Sequence, residues 1–265
     1  MLRLILGGPD AIPHLTPITD PESLEALYRA PRPGWVRANM VVSLDAAVEI
    51  GGRSGTLGGP DDRLVFMALR ALADVVVVGS GTARAENYGP AKVAAPARAR
   101  RLERGQAPTP PVAVLTNRAD LDPRSRLFTE TDTGPRPLVL TCAQASPDAR
   151  AALSQRADVV ICGDDSVDVL VALDELRARG LHDVLCEGGP TIMTGLVAAG
   201  ALDELCLTQD SIVAGPGHLG LVAGTPLAEP VPARLVHLLA GDRLLLGRYY
   251  LLGTSTFPPE DAIDD

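Results

Sequence analysis

The chain has 265 residues, of which 46% are apolar and 22% charged, and its formal net charge is −9. That length suits one large α/β domain or two small ones. The negative balance argues against general nucleic-acid binding, which needs positive charge to displace counterions from phosphates.

In chain order, residues 1–34 carry six prolines and little periodicity. They read as an irregular N-terminal arm with a short helix near Pro21 to Tyr28. Trp35 to Ser43 reads as a strand, followed by Ala46 to Ile50 and a Gly51-Gly52 turn. Pro60 to Leu72 has helical spacing. Leu64, Ala68, Ala71 and Leu72 fall on one face, Val65 and Leu69 lie beside it, and Asp61 and Asp62 favour the helix dipole in the first turn. Asp74 to Val78 is a continuous apolar run ending at Gly79, the pattern of a strand buried on both faces. Pro90 to Pro111 is basic and reads as a surface loop with some helix.

From Val112 onward the pattern alternates. Val112–Thr116, Pro137–Thr141, Asp158–Cys162, Asp183–Cys186 and Asp203–Gln209 are strand candidates. Ser146–Gln155, Ser166–Arg179 and Pro190–Ala199 are helix candidates. Ala233 to Leu252 reads as two strands joined at Gly241-Asp242. Strands alternating with helices predict an α/β fold, a mostly parallel central sheet flanked by helices, here with an antiparallel C-terminal edge. Residues 35–252 read as a single domain and 253–265 as a disordered acidic tail.

Two places share one device, a buried strand that ends in glycine just before a helix. One is Val75 to Val78 with Gly79-Ser80-Gly81-Thr82. The other is Val184 to Cys186 with Glu187-Gly188-Gly189-Pro190-Thr191. Glycine lets backbone approach a ligand closely, and a helix start offers unpaired N–H groups to phosphate. Glycine at such turns also serves packing alone, and Gly79-Ser80-Gly81 lacks the third glycine of the dinucleotide fingerprint. Together the turns suggest a dinucleotide lying across neighbouring strand ends.

Other chemistry is excluded by pattern. The chain has no Gly-x-x-x-x-Gly-Lys-Ser/Thr loop, no His-Glu-x-x-His, no Gly-x-Ser-x-Gly elbow and no zinc-deaminase signature. The four histidines are scattered without metal-ligand spacing, so no metal is expected. Cys142, Cys162, Cys186 and Cys206 read as buried, reduced thiols. With no secretory signal and no bilayer-length apolar run, the expectation is a cytoplasmic protein with no membrane partner.

The ordered set Asn39 to Ser43-Leu44-Asp45, Ser54, Leu69-Arg70-Ala71, Ala73 to Thr82, Glu187 to Thr191 and Asp203-Glu204-Leu205 resembles the riboflavin-biosynthesis pyrimidine reductase family. That family is the C-terminal domain of RibD, with a dihydrofolate-reductase-like fold. The resemblance implies NADPH-dependent reduction of 5-amino-6-(5-phosphoribosylamino)uracil, with hydride passing to C1′ of the ribose, and it implies a homodimer. It places Gly79, Gly81 and Thr82 in the first nucleotide-contacting turn. Glu187, Gly188 and Gly189 fall in the second, with Pro190 and Thr191. Ser54, Arg70 and Glu86 become substrate ligands, and Arg70 and Ser54 hold the ribose phosphate. Thr116, Asn117 and Arg118 follow the strand that meets the adenosine 2′-phosphate, where a guanidinium suits a phosphate. Asp45, Glu86 and Glu187 are the catalytic carboxylate candidates. Read without the resemblance, Arg70 is a surface ion-pairing residue, Asp45 a turn residue and Arg118 a solvated loop residue.

Three departures fall in the substrate half. Glu86 stands where the family has aspartate, Lys92 follows with no match to the family's arginine a few residues on, and Ala46 stands where the family has glycine. The competing functions are therefore the pyrimidine reductase, an NADPH-dependent pterin or dihydrofolate reductase on the same fold, and a nucleotide-binding regulator without turnover.

Overall fold

A computed structural model describes residues 2–6, 17–18, 20–130, 134–224 and 226–252. The expected acidic tail, 253–265, lies outside them. In chain order the elements are β1 (Arg3–Leu6), α1 (Pro21–Leu27), β2 (Val36–Val42), α2 (Pro60–Leu72), β3 (Val75–Gly79), α3 (Ser80–Ala85), α4 (Ala95–Glu103), β4 (Val112–Leu115), α5 (Arg126–Thr129) and β5 (Leu138–Thr141). The second half adds α6 (Pro147–Ser154), β6 (Asp158–Ile161), α7 (Val169–Arg177), β7 (Val184–Cys186), α8 (Pro190–Ala198), β8 (Glu204–Asp210), β9 (Ala233–Ala240) and β10 (Leu244–Leu251).

The strands form a single sheet in the order β1-β9-β10-β8-β2-β7-β3-β4-β5-β6. From β8 to β6 every pairing is parallel, and β10, β9 and β1 add an antiparallel edge. The four valines of β3 explain its central position. Val76 and Val78 join the core on one face, and Val75 and Val77 join the core on the other. A strand apolar on both sides suits a sheet covered by helices on both faces.

Several local expectations change. Arg3–Leu6 is not irregular but pairs with β9 and buries Leu2 and Leu4. Its partner lies more than two hundred residues away, beyond the reach of local pattern. Ala46–Ile50 forms isolated bridges rather than a strand, because Ala46 turns the chain in the left-handed region at φ 64°. On α2 the buried set is Val65, Ala68, Leu69, Arg70 and Ala71, while Leu64 is exposed. Apolar residues run almost around this helix, so spacing alone does not select the buried stripe.

The parallel arrangement places the ends of β2, β3, β4 and β7 along one rim of the sheet. α2, carrying Arg70 in its last turn, packs beside β3. Its C-terminus is held by Arg101 of α4. Buried Arg101 donates from Nη1 to the carbonyls of Arg70, Ala71 and Ala73 at 3.1, 3.1 and 2.5 Å. A cation on the last carbonyls satisfies groups that the helix itself leaves unpaired.

Candidate active site

β3 and β7 are neighbours, so their glycine turns meet. The Gly79 amide donates to the Gly188 carbonyl at 2.8 Å, and the Glu187 amide donates to the Val77 carbonyl at 2.9 Å. A Cβ at Gly189 would lie 2.6 Å from Thr82 Oγ1, and one at Gly79 would lie 3.1 Å from Ile192 Cδ1. These two glycines therefore let one turn pack on the other. Gly188 has φ +87°, a conformation that side chains disfavour. Gly81 is different, since the direction of its missing side chain is open. The packing and ligand-approach explanations of glycine thus divide between positions.

The rim borders a cleft of about 1490 Å³, lined among others by Gly79, Gly81, Thr82, Thr116, Asn117 and residues 187–191. Ligand pockets commonly measure roughly 300–1,000 Å³, so this cleft has room for a dinucleotide and a second small molecule. α8, nine residues long, begins at Pro190, and Gly189 is its N-cap without a side-chain cap. Pro190 carries no N–H, and the Ile192 and Met193 amides donate to the Gly189 carbonyl at 3.1 Å, so the Thr191 amide is the first-turn donor open to a ligand.

Beside the glycine turns lies a cluster built around Glu187, a buried residue that itself begins the second turn. Arg70 donates to it from Nε at 2.6 Å and from Nη2 at 2.7 Å, and Tyr88 Oη donates at 2.7 Å. The Arg70 guanidinium also covers the Phe66 ring, 4.2 Å from its centroid. Burial works against the charge on Arg70, but the Glu187 carboxylate outweighs it and raises the Arg70 pKa. Burial and the Glu187 charge both push the Tyr88 phenol well above its ordinary value. Three donated hydrogen bonds thus hold the Glu187 carboxyl in a rigid orientation.

The predicted residues divide clearly. Gly79, Gly81, Thr82, Thr116, Asn117, Glu187, Gly188, Gly189, Pro190, Thr191, Ser54, Arg70 and Glu86 all line the cleft. Arg70 is neither a surface residue nor simply open to a ligand, because its Nε and Nη2 are taken by Glu187. Glu86 accepts from the Ser54 amide at 2.7 Å and from Ser54 Oγ at 2.9 Å, so these two expected substrate ligands also hold one another. Thr116 is buried, and its Oγ1 accepts from the Ala119 amide at 3.1 Å. Asn117 Oδ1 accepts from the Val167 amide at 2.9 Å.

Asp45, a catalytic candidate from the sequence, is bound into a loop. It lies outside the cleft lining and accepts from Ser43 Oγ at 2.5 Å, the Ala214 amide at 2.9 Å and the Gly215 amide at 2.8 Å. Those bonds hold its carboxyl well below the usual range, with the Ser43 bond the largest influence. Arg118 is exposed and also stands outside the lining.

Residues 34–243 match the model of the RibD C-terminal domain. The chain belongs to the RibD C-terminal domain family. It is similar to the 2,5-diamino-6-ribosylamino-4(3H)-pyrimidinone 5′-phosphate reductase of Methanothermobacter thermautotrophicus, 27% identical over 83% of this chain and 94% of that protein. It is also similar to the riboflavin biosynthesis protein RibD of Mycobacterium tuberculosis, 27% identical over 70% of this chain and 43% of that longer protein. Among solved structures, a pyrimidine reductase-like protein from Corynebacterium diphtheriae superposes with a TM-score of 0.79 at 25% identity, covering 86% of this chain and 98% of that one.

Within this RibD C-terminal domain, sequence reasoning missed three groups on the cleft wall. Tyr88 lies in the segment that departs from the family pattern and had no periodic signal. Asp62 was assigned only to the helix dipole. Phe66 and Met67 were lost in the continuous apolar surface of α2. All four line the cleft.

Among the described residues no cluster of three or more His, Cys, Asp or Glu is arranged for a metal ion. No helix among them is long and apolar enough to cross a membrane. The four cysteines are buried and free, and burial pushes the Cys186 thiol up to about 12.

Proposed function

We propose that this chain is an NADPH-dependent reductase of riboflavin biosynthesis that converts the ribosylamino group of a 6-(5-phosphoribosylamino)pyrimidine into ribitylamino. The observation that carries the reading is one cleft joining two kinds of wall. Glycine turns and a helix start without a side-chain cap line it, and so does the Glu187–Arg70–Tyr88 cluster.

Gly79, Gly81, Thr82, Thr116, Asn117, Gly188, Gly189, Pro190 and Thr191 would hold the dinucleotide through backbone and small side chains. Arg118, with no ion pair among the described residues, is the cation proposed for the 2′-phosphate. When bound, NADPH supplies a hydride from its nicotinamide to substrate C1′. Glu187, oriented by Arg70 and Tyr88, is the carboxylate proposed beside the nicotinamide and the substrate. Glu86 and Ser54 form the polar wall proposed for the ribose. The ring is a uracil or a 2-amino-pyrimidinone, the latter carried in the name of the Methanothermobacter relative. A cytoplasmic homodimer accompanies this reading.

The test is NADPH consumption by the purified chain with each phosphoribosylaminopyrimidine, followed by the loss of reduced-nicotinamide absorbance. Turnover with at least one is expected, together with a ribityl product. NADPH binding without turnover of either compound overturns the proposed reaction.

A further inference from the structure

The cleft holds a carboxylate that the proposed reaction leaves without a role. Asp62, in the first turn of α2, lines the cleft. Thr208 Oγ1 of β8 donates to its Oδ1 at 2.7 Å, its single side-chain hydrogen bond among the described residues. Gly58, at φ +79°, packs against the other oxygen, where a Cβ would come within 2.7 Å of Oδ2. The carboxylate is therefore fixed from both sides.

Asp62 has no cation partner among the described residues. Arg243 is the cation of the neighbouring acid, Asp210, which it meets at 2.9 Å and which also accepts from the Gly58 amide at 2.8 Å. Burial, opposed by the Thr208 bond and reinforced by the Asp210 charge, raises the Asp62 pKa. An uncompensated carboxylate in such a place is costly unless a ligand brings donors to it. Apolar Val41, Phe66 and Met67 line the same cleft.

The other lining carboxylates are less suited to that task. Glu187 is taken by Arg70 and Tyr88, and Glu86 by Ser54. Glu49 has no orienting bond among the described residues, so it is not held in one position.

We infer that Asp62 reads the edge of a 2-amino-pyrimidin-4(3H)-one, accepting from the adjacent N3–H and 2-amino groups, and so selects that ring over uracil. The inference rests on the reading that the cleft holds the substrate. A carboxylate only accepts hydrogen bonds. The 2-aminopyrimidinone presents two neighbouring donors, whereas uracil places its C2 carbonyl oxygen where the second donor is needed. That oxygen would face the carboxylate, which a site built on hydrogen bonding rejects. A reduced pterin carries the same 2-amino-4-oxo edge, so the recognition chemistry is shared and the source of the ring is an experimental question.

The experiment titrates isocytosine and uracil into the wild-type chain, Asp62→Asn and Thr208→Val by calorimetry, with and without NADPH. Wild type is expected to prefer isocytosine by about tenfold or more, the scale of one bidentate recognition pair. Asp62→Asn should lose that preference while its NADPH affinity stays unchanged. Thr208→Val, which removes only the orienting bond, should weaken the preference in part. Equal wild-type affinities, or an unaltered preference in both variants, overturn the inference. Turnover assays with the diaminopyrimidinone, the uracil compound and dihydrofolate then separate the sources. Isocytosine selectivity that depends on Asp62 but comes without turnover of either phosphoribosyl compound would sink the proposed reaction and leave this inference standing. Turnover of dihydrofolate in that case identifies the ring as a pterin.

Discussion

Arg70 holds Glu187 through two parallel hydrogen bonds, Nε to Oε1 at 2.6 Å and Nη2 to Oε2 at 2.7 Å, with the two side chains 11% and 2% exposed. Removing one partner of a buried pair leaves an uncompensated charge, at a cost of about 3–5 kcal/mol. Arg70→Met should therefore lower folding stability by about 3 kcal/mol. Adding Glu187→Gln should recover much of that loss, since the neutral amide can still accept from Tyr88. Urea titrations of the two variants check this, and an unchanged midpoint for Arg70→Met would show that the pair contributes little.

The glycines of the two turns should respond differently. Gly188→Ala forces a side chain into the left-handed region and sets its Cβ 3.3 Å from Met40 Sδ. The backbone cost alone is about 1–2 kcal/mol. A Cβ at Gly81 would meet nothing within 4 Å, so Gly81→Val should leave thermal stability near wild type. If the dinucleotide passes over this turn, Gly81→Val nevertheless weakens NADPH binding by blocking backbone approach. Fluorescence titration alongside a melting curve separates these effects. Normal NADPH affinity in a folded Gly81→Val protein would move the dinucleotide elsewhere in the cleft.

The order of elements was largely legible because the physics behind it is local. Val75 to Val78 had to be a doubly buried strand, and Pro60 with Asp61 and Asp62 marked the start of a helix that spans Pro60–Leu72 as expected. The glycine turns were legible for the same reason, since they follow strands directly. Long-range pairing was not legible. Nothing near Arg3–Leu6 points to β9, and nothing near Asp45 points to the amides of residues 214 and 215 that it binds. Tyr88 and Asp62 were missed because their meaning depends on Glu187 and Thr208, which chain spacing does not bring together.

Arg118 offers a test of cofactor choice. It is exposed and follows Asn117 at the end of β4, outside the cleft lining. A charge-assisted hydrogen bond to phosphate contributes about 1.5–3 kcal/mol. Arg118→Ala should thus narrow the preference for NADPH over NADH by roughly tenfold or more, with NADH affinity little changed. An unaltered ratio of dissociation constants would assign the 2′-phosphate to another cation.

His237 makes stability depend on pH in a defined window. The ring is buried edge-on against Tyr28, with centroids 4.8 Å apart, and its Nε2 has no hydrogen-bond partner among the described residues. Burial, assisted by the Arg248 charge, pushes its pKa from 6.5 down to about 3. The folded state therefore keeps His237 neutral while the unfolded chain takes up a proton below 6.5. This contribution is fully present above that value and is lost as pH falls toward the folded value. Between pH 7.5 and 5 the loss is about 2 kcal/mol, from 1.5 pH units at about 1.36 kcal/mol each. His237→Leu keeps an apolar side chain in the site and cannot bind the proton. Its stability should fall about 2 kcal/mol less than wild type over the same interval. Carboxylates with lowered values, such as Asp45, act mainly below this range, and the raised Asp62 is common to both proteins, so the comparison isolates the imidazole. Parallel stability curves for wild type and His237→Leu would mean that the buried ring takes up its proton without unfolding.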